Sequence, residues 1–500
     1  MTTTLHPSSE PPRPVGEEAE SAEVAGAIES NSAPAGAGAD IYAPPRGDST
    51  EATTASDSGS MAATSSAFAM APRHGDSAPT AAATRPAHRE FDQREAAAGT
   101  DAGAPQTAAA SGIERDAPER AANVASEPGA ASTEFPRRPA GFLPALEGMR
   151  GMAALGVVVT HVAFQTGATS LPMLGRVLER FDMAVAVFFA LSGFLLWRPH
   201  AAAARGLGTA PTAGRYLLHR AARILPAYWA VVCAVLILLP TAASTAGFRV
   251  WLANLGLVQV FVPLTLTDGL TQMWSLSVEM AFYLLLPLLA VAVAWLRGDR
   301  ARWRVPVLLA FGTLCLTWNL IPVPTPDAIN SDNWLPGYLP WFAAGMLLAE
   351  LSDLAVPRLR RLAGNPWILW TVALVALLLS ATDLGGLPGL TRGAPWQYVL
   401  KMAFGAIIGF TLLAPLVLRP DIRHRWLESR TAAMLGRWSY GVFLWHLAVL
   451  SIVFPVFAIV PFSGDFPQVL ALTIALTLPL AAASYALIEE PVRRWARRFG

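Results

Sequence analysis

Charge is scarce in this sequence, and so is cysteine. Asp, Glu, Lys and Arg make up only 15% of the 500 residues, beside a hydrophobic share of 53%. Ordinary soluble domains carry about 25% charged residues, so that class is excluded. The two cysteines, Cys233 and Cys315, both lie in apolar runs. They cannot form a disulfide framework, and no ligand spacing marks a metal site. They read as small core residues. The start of the chain also lacks a basic stretch followed by an apolar core, so it does not read as a secretory signal.

What the chain has instead is apolar residues in runs near 20, the length needed to cross a bilayer. The formal net charge of +1 hides two opposite parts. Residues 1–136 hold 20 Asp and Glu against 8 Arg, a balance of −12. Residues 137–500 hold 29 basic and 16 acidic residues, a balance of +13. The first part is rich in Ala, Pro, Gly, Ser, Thr and Glu and has no long apolar periodicity. It cannot bury enough surface to offset its ordering entropy, so a disordered cytoplasmic tail is expected over 1–136.

The second part is expected to be an all-α, polytopic membrane bundle of about ten helices. Ten apolar segments are visible: 143–165, 181–197, 224–246, 274–296, 305–321, 337–355, 366–381, 397–418, 438–461 and 467–488. The stretch 247–266 is also apolar, but its polar breaks and Pro263 predict an interfacial or re-entrant piece. With the N-terminus in the cytoplasm, the predicted inside loops carry 21 Arg. The predicted outside segments carry only Arg176, Arg180, Arg249 and Arg392, with Lys401 just inside a helix. That asymmetry obeys the positive-inside rule and predicts a plasma-membrane protein with both termini cytoplasmic.

The most informative segment is 143–165, LPALEGMRGMAALGVVVTHVAFQ. It is apolar enough to span, yet it holds Glu147, Arg150 and His161. Such side chains inside a span are costly and usually face a protein interior. Arg150 and His161 are eleven residues apart, close to three full turns, so they share one face. Their axial offset is about 16 Å. A structural role, pairing with neighbouring helices, is an equally open reading of this segment alone.

Other segments add polar groups at helix ends. FFALSGFLLWRP (188–199) offers Ser192 and Gly193, which suit close helix packing and a hydrogen bond across it. RYLLHRAARILPAYW (215–229) puts Arg220 and Arg223 on one face, followed by Tyr228. Paired guanidinium groups fit phosphate oxygens, although inner headgroups would also explain them. QMWSLSVEMAFYLLLP (272–287) carries Ser277 and then Glu279, one turn inside the outer end by this topology. A carboxylate at that depth is suited to orienting His161 and raising its basicity. RWSYGVFLWHLAVL (437–450) adds His446, with Ser439, Tyr440 and Trp445 as polar partners; a structural hydrogen-bonding role suits it.

Taken together these motifs resemble the acyltransferase 3 family of integral membrane acyltransferases, which includes cell-surface O-acetylases. The resemblance covers about residues 140–495. It rests on LEGMRGMAALGVVVTH, FFALSGFLL, Arg220 and Arg223 before ILPAYW, WSLSVEMAFY, SYGVFLWH and the closing Glu489-x-Pro491. It implies transfer of an acyl group, often acetyl from acetyl-CoA, to a hydroxyl of a carbohydrate or lipid-linked glycan. It marks Arg150, His161, Arg220 and Arg223 as residues of the family's functional motifs. One departure stands out: many members have Asp where this chain has Ala186, and Asp182 lies one turn earlier.

The expected mechanism therefore uses acyl-CoA as donor substrate, with no permanently bound cofactor and no metal. Arg220 and Arg223 hold its phosphates, Arg150 assists the donor or the oxyanion, and His161 is the base, oriented by Glu279. Ser192, Tyr228, Ser277 and His446 are secondary candidates. Partners expected are acyl-CoA, a glycan acceptor and membrane lipids, with no nucleic acid. The alternative is a secondary transporter that uses Arg150, His161 and Glu279 as a relay.

Overall fold

The structure is a computed structural model. It describes residues 143–499 except 327, 355, 388 and 390–392. The tail expected over 1–136 and the predicted outside residue Arg392 lie outside the described residues. Among the described residues every regular element is helical.

Each of the ten predicted segments forms a helix. In chain order they are α1 (Pro144–Gln165), α2 (Ala184–Ala204) and α3 (Ala213–Leu238). The short α4 (Phe248–Leu255) comes next, then α5 (Trp274–Ala292), α6 (Arg304–Leu316) and α7 (Leu335–Ser352). They are followed by α8 (Pro366–Ser380), α9 (Pro395–Leu418), α10 (Arg430–Val456) and α11 (Phe466–Ser484). The stretch 247–266 does not span: its eight-residue α4 reaches only about 12 Å and is followed by turns.

Among the described residues six helical stretches are long and apolar enough to cross a bilayer: Leu174–Ala204, Ala213–Leu238, Thr271–Ala292, Pro395–Leu418, Arg430–Val456 and Phe466–Ala496. The bent pair Ser331–Ser352 and Pro357–Ala363 makes a seventh if it is one span. The chain is thus a multi-pass membrane protein, with fewer clear spans than the ten segments. The difference has two physical sources. α6 and α8 have 13 and 15 residues, so they reach about 20 and 22 Å, short of the ~30 Å hydrocarbon core. α1 has 22 residues but carries Glu147, Arg150 and His161, which lower its apolarity.

Two close helix crossings set the frame. α2 runs along α7, and there a Cβ on Gly193 would collide with the Phe342 carbonyl, and one on Gly345 with the Ala190 carbonyl. Only glycine permits that approach. The crossing brings Phe189 of α2, Phe342 of α7 and Phe282 of α5 into one stack. Phe342 lies 4.4 Å from Phe189 and 3.9 Å from Phe282, centroid to centroid. α1 runs parallel to α10, with Gly151 and Gly436 at the contact. This second crossing aligns Arg150 with α10 at one end and His161 with α10 further along.

A buried ion cluster secures the end where α1 begins. Glu350 of α7 is fully buried and meets Arg304 Nε at 2.7 Å and Arg205 Nη1 at 2.6 Å. Trp197 Nε1 donates to the same carboxylate at 2.7 Å. Charges this far from water persist only when paired, as here.

Candidate active site

A cavity of about 90 Å³ opens between α1, α2, α3, α5 and α10. Arg150, Arg220, Arg223 and Glu279 line it, with Ser192, Ser275, Tyr283, Ser439 and Tyr440 as further polar groups. Its apolar walls include Phe188, Phe189, Leu195 and Phe443. The charged side chains in this lining, three guanidinium groups and one carboxylate, leave a formal surplus of two positive charges. Such a cavity attracts an anion with an apolar extension.

Local helix periodicity explains each contribution. Arg220 and Arg223 are three apart on α3 and face the same way. Glu279 and Tyr283 are four apart on α5, and Tyr283 OH donates to Glu279 Oε1 at 2.5 Å. Ser192 Oγ donates to the same oxygen at 2.5 Å. The Arg220 guanidinium stands 5.9 Å from the Tyr283 ring centroid, within cation–π range. Arg150 Nη2 donates to Ser439 Oγ at 2.9 Å, and Ser439 Oγ donates to the Gly436 carbonyl at 2.8 Å. Tyr440 OH donates to the Ile224 carbonyl at 2.9 Å, which ties α10 to α3 beside the cavity.

His161 lies elsewhere. Its partner is His446: His446 Nε2 is 3.2 Å from His161 Nδ1, with ring centroids 5.0 Å apart. Both rings are buried. The surrounding carbonyls fix their tautomers. His446 Nδ1 sits 2.8 Å from the Phe443 carbonyl and 3.1 Å from that of Val442, so it carries the proton. Its Nε2 is then an acceptor. His161 Nδ1 sits 2.8 Å from the Val157 carbonyl, so it too carries a proton, shared between that oxygen and His446 Nε2. In the neutral pair the unprotonated nitrogen left without a partner is His161 Nε2, which makes no hydrogen bond among the described residues.

The sequence predicts Glu279 beside His161, whereas in the structure each has other partners. Glu279 belongs to the arginine cavity, held by Ser192 and Tyr283. Ser439 and Tyr440, expected as partners of His446, instead serve Arg150 and the α3 backbone. The cavity and the histidine pair meet at Phe443. That residue lines the cavity, and its ring lies 6.1 Å from His446. Besides His446, two secondary candidates stand apart from the cavity lining. Tyr228 OH donates to the Asn254 carbonyl, and Ser277 Oγ donates to that of Met273. Tyr283 was missed, although its i+4 spacing from Glu279 signals it. Among the described residues no group of His, Cys, Asp and Glu is arranged to hold a metal ion.

Residues 143–486 match the family described as an acyltransferase domain. The chain is 23% identical over 383 residues to the peptidoglycan O-acetyltransferase OatA of Listeria monocytogenes, covering 71% of this chain and 56% of OatA. It is 30% identical over 337 residues to the acyltransferase MdmB of Streptomyces mycarofaciens, covering 62% of this chain and 79% of MdmB. It is 26% identical over 323 residues to the exopolysaccharide production protein ExoZ of Rhizobium meliloti, covering 63% and 90%. The chain therefore spans little more than half the length of OatA. No solved structure matches it. A family match that runs from the first residue of the described bundle to its last long helix makes this chain a member of the acyltransferase 3 family.

Proposed function

We propose that the chain transfers an acyl group, in the simplest case acetyl, from an acyl-CoA to a hydroxyl of a carbohydrate or glycosylated acceptor at the cell envelope. The observation that carries this reading is the convergence of Arg150, Arg220 and Arg223 on one apolar-walled cavity. Guanidinium groups grip phosphate oxygens in bidentate fashion. The apolar walls suit the pantetheine arm behind them. The names of OatA and ExoZ, a peptidoglycan O-acetyltransferase and an exopolysaccharide production protein, support a glycan acceptor.

In this mechanism Arg220 and Arg223 hold the donor's phosphates. Glu279 keeps the cation cluster from excessive repulsion and is itself held by Ser192 and Tyr283. The arm passes Arg150 and reaches the Phe188–Phe443 edge, where the two rings are 6.4 Å apart. His161 Nε2 takes the proton of the acceptor hydroxyl. The oxygen attacks the thioester carbonyl, a C–O bond forms, and the C–S bond breaks. His161 then returns the proton to the departing CoA sulfur, and the product is an ester. The Arg150 guanidinium, about 16 Å along α1 from His161, meets the donor on its way in and is too far from the reacting carbonyl to serve its oxyanion. By the positive-inside pattern, the cavity faces the cytoplasm, where acyl-CoA is supplied.

Steady-state turnover of acetyl-CoA tests the donor site. The double variant Arg220→Ala/Arg223→Ala should raise the KM for acetyl-CoA at least tenfold while the protein still elutes as a monodisperse detergent complex. An unchanged KM removes these two residues from the donor site.

A further inference from the structure

A second, smaller cleft lies at the other end of the bundle, where α1 ends. It is lined by Asp182 in the turn before α2, Trp274 at the start of α5, Tyr338 and Trp341 on α7, and Lys401 on α9, with Asp332 and neighbouring groups of the preceding loop. Three features single it out. Lys401 is the only lysine in the sequence, against 36 arginines, and it sits in this cleft. It pairs with Asp182 Oδ2 at 2.8 Å, and both side chains are largely buried. The other oxygen, Asp182 Oδ1, is buried and has no hydrogen-bond partner among the described residues. A pair built only for stability has no need to leave a buried carboxylate oxygen unmatched.

We infer that this cleft is an acceptor subsite that takes the hydroxyl-bearing rim of a sugar. This rests on the acyltransferase reading above and names the place where its acceptor is held. The chemistry discriminates among ligand classes. Asp182 accepts and Lys401 donates within one small space, the pattern that matches a hydroxyl, which does both. The charged groups Asp182, Asp332 and Lys401 leave a formal charge of −1, which disfavours phosphate and other anions. The ammonium group inside disfavours a metal cation. An aromatic wall completes the site: the Tyr338 ring lies 4.9 Å from Trp274 and 5.0 Å from Trp341. Aromatic walls suit the C–H faces of a sugar ring. The enclosed volume of about 20 Å³ holds one hydroxyl or hydroxymethyl group, so the ring itself rests at the mouth.

The position agrees with the chemistry. Asp182 lies in the turn whose neighbour Glu179 accepts a hydrogen bond from Thr160, at 2.9 Å, through its backbone carbonyl. Thr160 precedes His161, so the cleft and the proposed base share the same end of α1. The arginine cavity lies toward the opposite end. The donor cavity thus lies toward one end of α1, and the histidine pair and the acceptor cleft lie toward the other.

The test is ligand-detected saturation-transfer NMR on the full chain in nanodiscs. The probes are the methyl glycosides of glucose and N-acetylglucosamine, with cyclohexanol and inorganic phosphate as controls. At least one glycoside should show saturable transfer, cyclohexanol and phosphate none. Asp182→Asn and Lys401→Gln should each weaken glycoside binding at least tenfold, while Arg220→Ala leaves it unchanged. Release of CoA thiol from acetyl-CoA is measured on the same wild-type preparation. Thiol release without glycoside binding overturns the cleft and spares the enzyme reading. Glycoside binding without thiol release does the reverse, leaving a sugar site on a protein that does not consume acyl-CoA. Binding that is indifferent to both cleft variants, or equal for phosphate, also overturns the cleft.

Discussion

His161 and His446 come from segments 285 residues apart, yet each determines what the other can do. The carbonyls of Val442 and Phe443 hold the proton of His446 on Nδ1, which turns its Nε2 toward His161 as an acceptor. That contact, with the Val157 carbonyl, leaves His161 Nε2 as the basic nitrogen. His446→Asn removes the fixed acceptor without emptying the site. It should lower kcat about tenfold to a hundredfold, the usual cost of misplacing a reacting group, and leave the KM for acetyl-CoA unchanged. Initial rates across a range of acetyl-CoA concentrations separate the two constants, and a changed KM with an unchanged kcat would contradict the positioning role. At this scale the sequence was informative about which residues matter and silent about their partners. Arg150, His161 and Glu279 stand out because a titratable side chain in an apolar segment is expensive. The spacing within one helix says which residues share a face, but not how deep that face meets a neighbouring helix. For that reason Glu279 was expected beside His161 and lies instead with Ser192 and Tyr283.

At the scale of helices, Ser192 and Gly193 show how two adjacent residues divide their work. Gly193 lets α2 approach the backbone of α7, while Ser192 turns to Glu279 on α5. The serine and glycine of α2 were legible as a close contact with a hydrogen bond. Their opposite assignments were not, because α5 and α7 begin about 80 and 140 residues downstream. The crossing should be intolerant of added volume. Gly345→Leu forces a side chain against the Ala190 carbonyl and should cost about 1–3 kcal/mol or more. Thermal melting in detergent should show a clear drop for this variant and none for Gly214→Leu, whose Cβ would meet no atom within 4 Å. Equal melting of the two would mean that the crossing is looser than its backbone contacts imply. The helix count was less legible than the helices themselves. Each apolar run falls on a helix, but α3 and α10 start well before their runs, and α6 and α8 are too short to span unaided.

Over the whole molecule, two polar regions sit toward opposite ends of an apolar bundle, with the histidine pair toward the same end of α1 as the second. The cation-rich cavity near the start of α1 suits a phosphorylated donor. The cleft with Lys401 and Asp182 at the far end suits a neutral, hydroxylated acceptor. The fold class was readable from composition alone, since a hydrophobic share of 53% with 15% charge leaves few alternatives to a membrane bundle. The joining of α1 to α10, on which the site depends, is a long-range packing choice made by Gly151 and Gly436, and no local pattern announces it. The most direct measurement is release of CoA thiol from acetyl-CoA by the purified chain in nanodiscs, with wild type beside His161→Ala. Wild type should release thiol, and faster in the presence of a glycan acceptor. His161→Ala should lose at least a hundredfold in rate, with general acid–base catalysis worth about 10²–10⁴-fold, while keeping the wild-type melting temperature. Rapid thiol release by a well-folded His161→Ala variant, or none by wild type, would contradict the account.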